Sequence, residues 1–147
     1  MNRVISSLFV ALFVLDAGVS PVALAQAADG PVYVAYFWRA KPGQTAGYND
    51  YIKGTAEKID EDARKAGAFE EVVTVTPSQM GTSAAITDWT HLRIFKLKHR
   101  AAAEALGKGL DEATMRVVPD EAQRKRNSER SATLRDFVRQ EIWTALR

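Results

Sequence analysis

His91 and Arg93 lie two residues apart in the stretch Trp89-Thr90-His91-Leu92-Arg93-Ile94-Phe95-Lys96-Leu97. Successive side chains of an extended chain point to opposite faces, so Trp89, His91, Arg93 and Phe95 share one face. Imidazole titrates near neutral pH and can carry a proton. Guanidinium grips a carboxylate or an enolate through its planar fork. Set among aromatics, the pair suits binding or deprotonation of a small aromatic or acidic molecule. The competing reading is a polar sheet face covered by a second subunit or wetted by solvent. Leu92 and Ile94, on the other face, suit packing against helices. Tyr36 and Trp38 add two aromatics on one face of another strand, as core or as a stacking platform.

Other chemistry is thinner. The second histidine, His99, falls at a strand–helix junction and reads as an exposed linker residue. No His, Asp or Glu spacing resembles a metal triad, so neither a metal nor another cofactor is expected. The chain has no cysteine, which excludes a thiol nucleophile, a thiolate metal site and haem attachment through C-x-x-C-H. There is no G-x-S-x-G and no glycine-rich phosphate loop. Glu70 and Glu71 are adjacent but alternate across a strand, and Asp60-Glu61-Asp62 reads as a helix surface.

The elements that must carry these residues are legible as changes of period. Pro31 to Ala40 is β-branched and aromatic, ends at Lys41-Pro42-Gly43, and is apolar on both alternating faces, which predicts a strand buried on both sides. From Thr45 to Ala66, Tyr48, Tyr51, Ile52, Thr55, Ile59, Ala63 and Ala66 form a helical stripe, with Gly67 placed to terminate it. Phe69 to Thr76 predicts a second strand, a polar stretch from Ser78 to Asp88 follows, and Trp89 to Leu97 predicts a third. Arg100 to Leu110 is helical in composition, with Gly107 and Gly109 expected to end it early. Pro119 to Leu146 predicts a last helix, opened by Asp120 and Gln123 in a capping-box spacing. Leu134, Phe137, Val138, Glu141, Ile142, Ala145 and Leu146 stripe its second half. Its first half has almost nothing to bury.

Residues 1–27 have the layout of a cleaved secretory signal. Arg3 supplies a positive start, Val4 to Leu15 an apolar run, and Ala23-Leu24-Ala25 and Ala25-Gln26-Ala27 two overlapping cleavage sites. The run is too short to span a bilayer, so a periplasmic or secreted single domain, 28–147, without a stable membrane span is expected. That part carries 19 basic and 17 acidic residues, a balance that argues against a nucleic-acid partner. The charge is uneven, however: residues 91–147 hold thirteen Lys and Arg against eight Asp and Glu, as a solvated helix face or as a docking surface for something anionic.

The order strand, helix, strand, strand, helix, helix describes an α+β fold, a ferredoxin-like β-α-β-β-α unit with an antiparallel sheet and an extra C-terminal helix. Residues 31–110 resemble the dimeric α/β-barrel superfamily, through the aromatic first strand running into Lys41-Pro42-Gly43, the Tyr48/Tyr51/Ile52 helix face, and Asp88-Trp89-Thr90-His91 opening the third strand. The resemblance implies a homodimer made by sheet faces meeting, and either a small-ligand binding protein or a cofactor-independent or haem-handling enzyme. It also implies a fourth strand, for which Met115-Arg116-Val117-Val118 is the sequence's only candidate.

Overall fold

The structure, a computed structural model, describes residues 30–77 and 88–145. The expected signal, residues 1–27, and most of the polar stretch from Ser78 lie outside the described residues. Strand β1 (Val32–Ala40) leads to helix α1 (Thr45–Tyr51), a π turn (Ile52–Ala56) and helix α2 (Glu57–Lys65). Strands β2 (Glu71–Val75) and β3 (His91–Leu97) follow, then helices α3 (Arg100–Val117) and α4 (Glu121–Leu134) and strand β4 (Arg135–Thr144). The four strands form one antiparallel sheet in the order β2-β3-β1-β4. This is the expected α+β, ferredoxin-like arrangement, complete with its fourth strand.

That strand is not where the sequence suggested. Met115 to Val117 close α3, which runs straight through Gly107 and Gly109, and the segment read as the second half of the last helix is β4. The helical stripe there is a coincidence of spacing. β4 is an edge strand whose residues are all at least partly exposed, so burial stamps no clear alternation on it. What makes it a strand is nonlocal: β1, apolar on both faces, offers a free edge along its whole length, and β4 pairs with it from Val32–Thr144 to Ala40–Arg135. α4 keeps the part with little to bury, and only Ser131 and Leu134 are covered. Asp120 caps it by accepting from the Gln123 amide at 2.6 Å, while the Gln123 side chain turns to Asn127 instead of closing the box.

Two sheet faces meet different surroundings. Val32 and Val34 of β1 join Phe95 and Leu97 of β3, Ala63 of α2 and Ala103, Leu106 and Ala113 of α3 in the main core. The helices therefore cover the face that carries His91, Arg93 and Phe95, not the face of Leu92 and Ile94. This reverses the expected assignment. Phe95 and Leu97 belong to that core, and strand parity carries His91 and Arg93 to the same face. Leu92 packs with Ala35 and Phe37 on the opposite, outer face, supported by Ile94, Val138 and Trp89.

Each of two one-residue insertions changes what points inward. The wide π turn shifts the inward stripe by one residue where α2 begins: Ala56 and Asp60 are buried while Thr55 and Ile59 are half-buried, Ala63 is buried as expected, and Ala66 is exposed. Asp60, read from sequence as surface, is thereby a buried carboxylate. In β4 the register slips between Phe37 and Trp38, a bulge that sends Val138 to the outer face and re-aims the residues before it. With the bulge, Arg135 sits opposite Ala40 on the helix side, and Asp136 points outward to Lys41.

Gly109 packs α3 onto the turn after α2. A Cβ built there would lie 2.6 Å from the Ala68 Cβ, closer than real Cβ contacts allow. Gly109→Ala is therefore expected to lower the unfolding free energy measured in urea, even though alanine is the better helix former by about 1 kcal/mol. Met115→Ala, at a half-exposed position on the same helix, is expected to stay within about 0.5 kcal/mol of the parent.

Candidate functional site

Between the helix-covered face of the sheet and α2 and α3 lies a cavity of about 260 Å³. β1 contributes Tyr36 and Trp38, β3 contributes Arg93 and Phe95, and Arg135 enters from the start of β4. Tyr51, Ala56, Ile59 and Asp60 close one side, and Gly107, Leu110, Asp111 and Thr114 of α3 the other.

Four of the six residues singled out from sequence thus meet in one cavity: Tyr36, Trp38, Arg93 and Phe95. His91 stands behind it, and Trp89 is elsewhere. Strand pairing begins at His91, so alternation does not extend back to Trp89, whose ring packs edge-on to Phe37 on the outer face at 5.7 Å.

Arg93 and Asp60 form a buried ion pair, with Arg93 Nη2 donating to Asp60 Oδ2. Burial pushes the Asp60 carboxyl above its usual range, and the adjacent guanidinium pulls it partly back. The Arg93 guanidinium also lies 5.4 Å from the Phe95 ring centre. Its Nε is buried and has no hydrogen-bond partner among the described residues, an unusual state for a charged donor.

Arg135 is held differently. Its guanidinium lies 3.6 Å from the Trp38 ring centre, with Tyr48 at 5.1 Å and Tyr51 at 5.7 Å. Nε donates to Ser131 Oγ at 2.9 Å and Nη1 to the Tyr48 hydroxyl at 2.8 Å. Burial raises the Tyr48 pKa, and the charge and hydrogen bond of Arg135 oppose that. Arg135 makes no ion pair among the described residues. An aromatic cage thus fixes a cation in the cavity wall without neutralising it. The main chain holds this corner too: Lys41 N–H donates to Leu134 C=O at 2.9 Å, and Lys41 Nζ to Ala132 C=O at 2.7 Å.

His91 is one of the most deeply buried side chains, at 1% exposure. Nε2 lies 2.9 Å from Asn49 Oδ1 and Nδ1 2.8 Å from the Thr90 hydroxyl, so the neutral tautomer protonated at Nε2 donates to Asn49 and accepts from Thr90. Its ring packs edge-on to Tyr48 at 4.4 Å. Both ring nitrogens are spoken for in the neutral form. Burial, reinforced by the charge of Arg135, holds its pKa below the ordinary 6.5. The histidine buttresses Tyr48, and through it Arg135, rather than facing the cavity. His99 is exposed and caps α3, its Nδ1 accepting from the Ala102 amide at 3.2 Å. Among the described residues no three His, Asp or Glu side chains cluster in a way that would hold a metal ion.

Asp60 and Arg135 are what sequence reasoning missed. Asp60 carried one signal, a carboxylate between Ile59 and Ala63 of the apolar stripe. Arg135 carried none, because its inward aim depends on the bulge.

A depressed histidine pKa ties stability to pH with a definite sign. Below about pH 6.5 the unfolded chain takes up a proton at this histidine that the folded chain refuses. The stability that neutral His91 contributes is therefore fully present above that pH and lost as pH falls through it toward the lower folded value. The drop in urea midpoint between about pH 7 and pH 5 should be smaller in His91→Gln than in the parent. An unchanged drop would show that His91 is not buried and neutral.

No protein-family model matches the chain, and no curated protein matches it. Solved structures do. HapK from Hahella chejuensis is 11% identical, with 78% of this chain and 92% of that chain covered at a TM-score of 0.51. An EthD-like protein from Ralstonia eutropha JMP134 is 12% identical, with 78% and 91% covered at 0.49. An EthD-family protein from Bacillus halodurans C-125 is 10% identical, with 79% and 98% covered at 0.44. At such identities the likeness is one of fold: the chain shares its α+β architecture, a four-stranded antiparallel sheet with helices, with HapK.

Proposed function

We propose that this chain is an exported, homodimeric protein that binds a small aromatic acid in the cavity between sheet and helices. One observation carries the reading: the cavity wall holds a guanidinium, Arg135, stacked on Trp38 and without a carboxylate partner among the described residues. A fixed, partly desolvated cation favours an anion, and a carboxylate matches its donor geometry. Trp38, Tyr36, Tyr51 and Phe95 give the walls an aromatic character suited to a planar ring. The volume is near the small end of the range for ligand pockets. Arg93 is already committed to Asp60, so the ligand's charge is met by Arg135.

A second reading is favoured by Asp60. A carboxylate in the cavity wall with a raised pKa is suited to take a proton from a bound acid's neighbouring carbon or hydroxyl, which would make the protein a cofactor-independent enzyme on the same ligand. Mass analysis of the recovered ligand separates binding from turnover.

The binding reading is tested by titrating naphthoate into the purified protein and following tryptophan fluorescence and calorimetric heat. Saturable binding is expected, and Arg135→Gln should weaken it by about tenfold or more, in line with a charge-assisted contact. Failure of the parent protein to bind naphthoate or benzoate, or equal binding by Arg135→Gln, would remove it.

The homodimer rests on the outer sheet face. Val73, Val75 and Trp143 there are 44%, 38% and 36% exposed, and a shallow cleft of about 440 Å³ runs among Tyr33, Val73, Ile94 and Trp143. An apolar face of this kind is an association surface. Export rests on residues 1–27. Native mass spectrometry of protein recovered outside the cytoplasm reads both at once: a dimer of chains beginning at Ala28 or Gln26 is expected, and a monomer, or a chain retaining Met1, would count against the corresponding half.

A further inference from the structure

Most residues lining the cavity are buried or half-buried; only Gly107 and Asp111 are exposed. They stand four apart on α3, one turn apart on the same side of the helix. The cavity therefore meets solvent at this turn. Gly107 is not there for the backbone: it has ordinary helical φ, and a Cβ built on it would meet nothing within 4 Å. A glycine inside an 18-residue helix weakens it, and here that loss leaves an opening. Gly109, two residues on, has the packing reason that Gly107 lacks. Asp111 makes no ion pair among the described residues, so the rim of the opening carries an unneutralised carboxylate. Deep in the cavity, by contrast, Arg93 keeps a buried Nε–H without a partner among the described residues, and the Arg135 guanidinium lies against Trp38.

We infer that Gly107 and Asp111 form the mouth of the cavity and set its specificity, admitting a monoanionic aromatic acid that enters carboxylate first and leaves an uncharged end at the mouth. This rests on the binding reading above and narrows its ligand class. A ligand with a second carboxylate would hold that group beside Asp111, and like charges brought together in a partly desolvated place repel strongly. A side chain at position 107 would occupy the space through which the ring system passes. Asp111 thus rejects dianions, and Gly107 limits width.

Naphthoate and a naphthalene dicarboxylate are the probes, titrated into the full-length processed protein and into Asp111→Asn, Gly107→Ala and Gly107→Leu. The parent should bind the monoacid at least about tenfold more tightly than the diacid. Asp111→Asn should shrink that ratio to about threefold or less by tightening the diacid alone. Gly107→Leu should weaken both probes by about tenfold or more while melting no lower than the parent, since the added side chain meets open space. Gly107→Ala should melt higher and bind within about threefold of the parent. An unchanged ratio in Asp111→Asn, or parental binding by Gly107→Leu, overturns the mouth while leaving Arg135-dependent binding in place. If the parent binds neither acid, the binding reading itself has failed and the mouth with it.

Discussion

The ion pair between Asp60 and Arg93 is the contact on which the arrangement around it depends. It joins α2 to the middle of β3 through the interior, where removing two charges from water costs several kcal/mol per ion. Close pairing offsets much of that cost, and removing either partner would strand the other. The pair is consequently a constraint more than a source of stability: α2 must hold Asp60 over Arg93 and no other residue. That fixes the phase of the helix against the sheet, hence the π turn, and keeps the helix from settling onto Phe95 and Tyr36. The cavity occupies the space so preserved.

Around that constraint the polar groups divide their labour. Arg93 is satisfied by Asp60 on one nitrogen and left with an orphan on another, a combination that keeps it in place. Arg135 is braced by Tyr48 and Ser131 and by aromatic faces, interactions that orient a cation without cancelling its charge. His91, neutral and bonded at both nitrogens, holds Tyr48 in turn. A protonated His91 would place a further positive charge near Arg135, and the protein avoids this by burying it.

How much of this was legible in the sequence depended on whether local periodicity survived. β1 and β3 were clear, because β1 is β-branched and aromatic throughout and ends at turn residues, and β3 alternates regularly from His91 to Leu97. So was the shared face of Arg93 and Phe95, and with it half of the cavity wall. Which layer covered that face was not clear: Leu92 and Ile94 are as apolar as Phe95 and Leu97, and only the assembled core separates them. β4 was hidden because an edge strand buried on neither face writes no period-two pattern, while its spacing happened to satisfy a helix. The glycines of α3 looked like terminators, since nothing local shows that one of them receives Ala68.

The π turn and the β-bulge share a consequence for how this architecture can diversify. Each is a single extra residue, and each decides what faces the interior: it brings Asp60 in beside Ile59 on the helix, and Arg135 in place of Asp136 on the strand. Pairing of β4 without the slip would set Asp136 opposite Ala40 and turn it inward, replacing a cation with an anion. The charge of this interior is written in residue counts as much as in residue identities.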